Sequence, residues 1–260
     1  MRSRLIILFL SSAAVVLAAE DVKPDPKAVA TARNLVPNGD FEAGSVSPTG
    51  WQSVDGLSAF WVEDDDPAHG KVLKFDTDVL QSQAYEWWVK IADGAAPKDA
   101  PKKLPTVEPK YDTLAGLDGV WYWSDFIPIE KGKSYWLSLD AKGGPFLVWL
   151  VGYPEKGSNS FGADAAAFQE VLKSKRTGKE PVTDRKREVF VHNYIWKGQM
   201  PAGGSSAWKT HTRRAQPFRP TSVTPSVRYV RVMLYPFWPP ATYKVDNVRL
   251  VALDDEEPGR

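Results

Sequence analysis

Apolar and polar residues alternate with period two in many short segments of this chain, and Gly, Pro, Asp and Ser bound those segments. Successive side chains on a strand point to opposite faces, so this alternation marks strands with one face buried. It predicts strands near 34–42, 58–63, 71–76, 120–127, 134–141, 146–153, 188–196, 207–213, 227–235 and 242–251. No regular exchange of strand and helix periods links them. The expected class is therefore all-β, an antiparallel sandwich rather than a parallel sheet with crossover helices. A chain of 260 residues suits one large domain or one domain with insertions, and 43% hydrophobic content supplies a sizeable core.

Two stretches break the alternation. In 78–92, Leu80, Ala84, Trp87, Trp88 and Ile91 recur at helical spacing, Asp78 and Gln81 resemble a cap pair, and Gly94 is a stop signal. A strand fits there too. In 163–177, Phe168, Val171, Leu172 and Lys175 share a helical face, with acidic residues early and basic ones late, as the helix dipole favours. The neighbouring stretches are rich in Pro, Gly and Lys. Insertions near 78–118 and 154–187 on a single sandwich account for both.

The first residues read as an export signal. Arg2 and Arg4 precede an apolar run from Leu5 to Ala18, and Val16 and Ala18 suit the −3 and −1 positions of a cleavage site. Cleavage after Ala19 is the near alternative, an uncleaved anchor the other. The run is shorter than the roughly 20 residues of a spanning helix, so no membrane span is expected in the mature chain. The expected order is a signal peptide at 1–18, a flexible leader at 19–33, the sandwich at 34–252 and an acidic tail at 253–260. The destination is then the periplasm, the cell surface or the medium. With no Cys, disulfides, thiol chemistry and thiolate zinc sites are excluded. Lys and Arg number 33 against 32 Asp and Glu, which leaves no basic surplus for a nucleic acid.

The folded region opens with Asn34-Leu-Val-Pro-Asn-Gly-Asp-Phe-Glu42, followed by Pro48-Thr-Gly-Trp51, and closes with Tyr243-Lys-Val-Asp-Asn-Val-Arg-Leu250. Between them lie Gly70-Lys-Val-Leu73 and Glu130-Lys-Gly-Lys-Ser-Tyr-Trp-Leu-Ser-Leu139. In this order the pieces resemble the jelly-roll carbohydrate-binding modules of the cellulose- and xylan-binding types, within the galactose-binding-like superfamily. The resemblance implies a jelly-roll β-sandwich and a polysaccharide partner. It also implies a structural calcium near the chain ends, with Glu42 and Asp246 at the positions that supply carboxylates. Calcium takes several oxygen ligands, so carboxylates there suit it. Asp246 has the parity of Val248 and Leu250 and is expected to point inward, where a cation relieves the buried charge. A capping Asp and a rim Glu are the plainer reading. The run Asp64 to Asp66 reads as a solvated turn.

A sugar presents flat C–H faces to aromatic rings and hydroxyls to polar neighbours. Alternation places Trp136 with Ser138 and Asp140, away from Tyr135, Leu137 and Leu139. It places His192, Tyr194 and Trp196 opposite Val191 and Ile195, and Arg231 and Tyr235 opposite Val230, Val232 and Leu234. If these strands share a sheet, Trp136, His192, Tyr194, Trp196, Arg231 and Tyr235 form one aromatic binding face. The alternative is that an inserted helix covers the face as a second core. Trp121 and Trp123 share a face suited to core or insertion packing, and Trp87 and Trp88 anchor the first inserted helix. No nucleophile elbow, phosphate loop or paired-carboxylate motif stands in the chain. The expected function is non-catalytic glycan binding. A structural module with an envelope protein partner is the second reading, and a polysaccharide-active enzyme the third.

Overall fold

The computed structural model describes residues 24–156, 194–213 and 216–253. Ten strands are described: β1 (Ala59–Glu63), β2 (Lys71–Asp76), β3 (Tyr122–Trp123), β4 (Ile127–Pro128) and β5 (Ser134–Gly143) come first. They are followed by β6 (Phe146–Tyr153), β7 (Trp196–Ala202), β8 (Ser205–Thr212), β9 (Tyr229–Tyr235) and β10 (Thr242–Leu253). The first sheet has the order β1-β2-β10-β5-β8, the second β3-β9-β6-β7 with β4 beside β9, and every pairing is antiparallel. The fold is thus an all-β jelly-roll sandwich. Its core is the alternating inner set of both sheets: Leu137 and Leu139 of β5, Val148 and Leu150 of β6, Val230, Val232 and Leu234 of β9.

Glycines decide where the chain changes sheets. β5 lies in the first sheet and β6 in the second, with Gly143 (φ +113°) and Gly144 at the corner. The return from β7 to β8 runs through Gly203 and Gly204, at φ +74° and +77°. The two corners touch: Gly204 N donates to Gly143 O at 2.9 Å. A Cβ on Gly203 would lie 2.1 Å from Gly144 O, so no side chain fits.

The strand expected at 34–42 does not form. Asn38 and Phe41 sit at φ 46° and 55°, outside strand conformation. Asn38 closes this turn by donating to Ala43 O and Thr49 O and accepting from Ala43 N. The expected strand at 188–196 lies mostly outside the described residues, as do the helix at 163–177 and all but the start of the insertion at 154–187. The first insertion carries a helix α2 (Gln81–Ala92), after a leader helix α1 (Pro26–Thr31) and before α3 (Leu114–Leu117). Ala84 and Trp87 of α2 are buried, with Trp88 and Ile91 packed beside them. Asp78 does not cap α2; its carboxylate takes Thr106 and Lys110 of the insertion instead.

Candidate functional site

The outer face of the first sheet is divided in two. Over one part folds the loop between β1 and β2. Asp64, whose side chain is fully covered, accepts from Lys244 Nζ at 2.6 Å and Trp208 Nε1 at 3.2 Å. These bonds, with the Lys244 charge, hold the Asp64 carboxyl below its usual range in spite of burial. His69 stacks on Trp208 at 3.9 Å and places Nδ1 2.7 Å from Asp246 Oδ2. The loop expected to be a solvated turn is therefore a cover, at least at Asp64 and His69.

Beside this cover is a cleft of about 530 Å³, within the range of small-molecule sites. Its floor carries Trp136, Ser138 and Asp140 from β5, in the alternation the sequence predicts. β8 adds Thr210 and Thr212, and β10 adds Asn247 and Arg249. Asp140 accepts from Thr210 Oγ1 at 2.6 Å and Asn247 Nδ2 at 2.9 Å, which fixes its carboxylate. Pro24, Pro26, Val29 and Ala30, in and around α1, form one wall. No residue of α1 is itself buried; Arg249 Nη2 ties it down through the carbonyls of Val29, Ala30 and Ala32 at 3.1–3.3 Å. The cleft thus combines one indole with hydroxyls, a carboxylate, an amide and a guanidinium.

A bulge corrects the expected direction of Asp246. Between the pairs Asp246–Asp140 and Arg249–Ser138, β10 holds one residue more than β5. Asn247, at φ 51°, takes up the extra residue, and parity reverses there. Val248 and Leu250 face the core, whereas Asp246 lies opposite Asp140 of the outer face, under His69. Burial pushes its carboxyl up to about 6, with Asp140 adding to the rise and the bonds from His69 and Asn247 opposing it. Glu42, the other expected calcium ligand, accepts Lys71 N at 2.8 Å. Both oxygens of Asp246 are engaged by Asn247 and His69, and no group of three or more His, Asp or Glu suited to a metal occurs among the described residues.

Of the six residues expected to form one face, the five that are described do not come together, because β5 belongs to the first sheet and β7 and β9 to the second. Of those five, Trp136 alone lines the cleft. Trp196 has the parity of Met200 and Ala202 and turns toward the core, edge-on to Phe218 at 5.9 Å. His192 lies outside the described residues. Tyr194, Arg231 and Tyr235 do share the outer face of the second sheet, with Trp123, Tyr153 and Met233, but this face is packed. Arg231 is buried, donates from Nε to Ser124 O at 2.6 Å and lies about 5 Å from the rings of Trp123 and Phe126. Tyr235 stacks on Phe237 at 5.1 Å. Alternation separated the outward from the inward residues of β5 and β9, but joined them into one face; it gave no sign that Thr210, Thr212 and Asn247 join Asp140, since polar residues on a strand mark only an outward side.

No family model matches the chain, and no curated protein does. Solved structures do. The enzymatically active domain of tailspike protein 4 of bacteriophage CBA120 matches 85% of this chain and 21% of its own, at 9% identity and TM-score 0.41. The arabinose-bound α-L-arabinofuranosidase MgGH51 matches 84% of this chain and 26% of its own, at 10% identity and TM-score 0.42. The chain therefore spans about a fifth to a quarter of these two proteins. TmCBM61, solved with β-1,4-galactotriose, matches 85% of this chain and 99% of its own, at 12% identity and TM-score 0.39. These are similarities of fold.

Proposed function

We propose that this chain is an exported, non-catalytic carbohydrate-binding protein whose glycan enters the cleft over Trp136. The supporting observation is the lining: an indole beside Ser138, Asp140, Thr210, Thr212 and Asn247, in a cleft of about 530 Å³. Sugar hydroxyls both donate and accept, and this set offers both roles beside the largely buried indole of Trp136. The outer face of the second sheet offers less, because its rings and Arg231 are used on one another. A retaining glycosidase needs two carboxyls about 5–5.5 Å apart at the scissile bond. Among the described residues, Asp140 is the one carboxylate that lines the cleft, while Asp246 lies buried under His69. Export rests on the sequence at 1–18; among the described residues no helix is long and apolar enough to cross a membrane.

Affinity gels with a panel of cellulose-, xylan- and galactan-type polysaccharides test this reading. Retardation by a glycan that is lost in Asp140→Ala, with unchanged thermal stability, supports it. A folded protein that no glycan retards overturns it. One observation favours a protein partner instead. Tyr111 and Trp238 are exposed, with ring centroids 5.7 Å apart, and Leu117 of the same insertion is exposed as well. Capture of an envelope protein that is lost in Trp238→Ala would favour that reading.

A further inference from the structure

We propose that α1 is a strap that a glycan displaces to reach the indole of Trp136, with Arg249 as its latch; the inference rests on the cleft being the glycan site. Trp136 lines the cleft, yet it is only 6% exposed. A sugar stacks on an indole whose face is bare, so part of the surroundings has to give way. The elements around the cleft differ in how firmly they are held.

The floor strands β5, β8 and β10 are hydrogen-bonded within one sheet. The neighbouring cover is locked by the buried Asp64, through Lys244 and Trp208, and by His69 on Asp246. The α1 wall has neither kind of hold. None of its residues is buried, and its six residues fall well short of the ~12–15 at which an isolated helix is even marginal in water. Its own bonds stay within the segment: Asp25 caps Lys27 N at 2.9 Å, and Thr31 donates back to the carbonyls of Lys27 and Ala28. Among the described residues, its polar tie to the sandwich is Arg249, through the carbonyls of Val29, Ala30 and Ala32. A segment without buried side chains and with one such tie belongs to the low-stability end of a structure.

The latch has a second use. The three carbonyls stand at the end of α1, where a helix has no donors of its own to offer. All of them share the single nitrogen Nη2, at 3.1–3.3 Å, although it carries two hydrogens. The Nε of Arg249 is covered and has no hydrogen-bond partner among the described residues. Arg249 itself lines the cleft, opposite Ser138 of β5. When α1 leaves, these donors face the cleft and bond to sugar hydroxyls in place of backbone carbonyls. The bonds lost on opening are thus replaced in kind. The leader competes with the glycan for Arg249 and for the space beside Trp136, so the closed protein binds more weakly than the bare sheet face.

Titration calorimetry with cello-, xylo- and galacto-oligosaccharides and their parent polysaccharides tests this on two chains, one that begins at Ala19 and one that begins at Ala32. A binding-competent minor state is populated at about 0.1–10%, and apparent affinity falls by that fraction. The shortened chain should therefore bind about 10-fold or more tightly. Unchanged or weaker binding by a shortened chain that melts like the longer one makes α1 a fixed wall; it overturns the strap and leaves glycan binding standing. Tryptic cleavage after Lys27 in the longer chain needs no truncation. Bound glycan should speed it, and cleavage that glycan slows or leaves unchanged overturns the strap. Asp140→Ala in the shortened chain should weaken binding; an unchanged affinity puts the glycan on another face and overturns the assignment to this cleft. Absence of binding by both chains overturns the glycan site and the strap with it.

Discussion

Two carboxylates, Asp140 and Asp246, lie opposite each other on adjacent strands and have different surroundings. Asp140 is open to the cleft and fixed by Thr210 and Asn247. A hydrogen bond to a charged group contributes about 1.5–3 kcal/mol, or roughly 10–100-fold in affinity. Asp140→Ala should therefore weaken glycan binding by about that factor in calorimetry; an unchanged Kd would remove Asp140 from the site. Asp246 is buried, and its carboxyl is raised to about 6 from the ordinary 3.8. Between those values the folded protein keeps a proton that the unfolded chain has lost, so stability falls as pH rises through this window. His69 and Asp140 both face this carboxyl, His69 through a hydrogen bond that opposes the rise and Asp140 through a charge that adds to it. Thermal melting of wild type and Asp246→Asn from pH 4 to pH 7 should show the variant losing less stability as pH rises. Parallel curves would mean that Asp246 is not the group responsible. The outward side of Asp140 is legible in the alternation of β5, whereas Asp246 reads in phase with Val248 and Leu250; the phase change from Tyr243 and Val245 to Val248 and Leu250, which the bulge at Asn247 produces, is the signal that this reading passes over.

At the scale of elements, alternation read β9 correctly. Val230, Val232 and Leu234 are fully buried in the core, and Arg231, Met233 and Tyr235 face the other way. It read β5 equally well. What it could not supply is the sheet to which each strand belongs, since that depends on the corner glycines and not on any strand's own residues. Nor did it predict what holds α2, although Trp87 and Trp88 stood out. The partner is Asp55, whose carboxylate accepts Leu57 N, Ser58 N and Ala59 N at 2.7–2.8 Å and Trp88 Nε1 at 2.6 Å. Trp87 Nε1 donates to its carbonyl. Asp55→Ala leaves several buried donors without an acceptor, each costing about 1–3 kcal/mol. It should lower stability in urea unfolding by at least ~3 kcal/mol, whereas Trp88→Phe, which removes a single bond, should cost about 1 kcal/mol. Equal costs would mean that Asp55 is not the centre of this anchor.

At the scale of the whole molecule, a sandwich without disulfides must close its two ends by other means. Here the opening segment and the closing strand bond directly. Leu35 N donates to Leu250 O, Val248 N to Gly39 O at 2.7 Å, and Asn34 bridges Val248 and Leu250. The two carboxylates that the family resemblance assigns to calcium are used in the same closure. Glu42 holds Lys71 N, and Asp246 holds His69 and the bulge. Burial raises the Asp246 carboxyl, and His69 of the loop between β1 and β2 and Asn247 of the bulge bond to it. A ligand that binds only the native state raises stability in proportion to RT ln(1 + [L]/Kd), so a calcium site filled at millimolar calcium would shift the melting temperature by several degrees. Calorimetric melting of the mature chain in millimolar calcium and in excess chelator should give the same midpoint, within about 1–2 °C on that scale. His69→Ala, by contrast, should lower the midpoint in both buffers, because it strips Asp246 of its partner and Trp208 of its stacked ring. A midpoint that rises with calcium in wild type and not in Asp246→Asn would instead assign the corner to a cation, with His69 displaced when it binds.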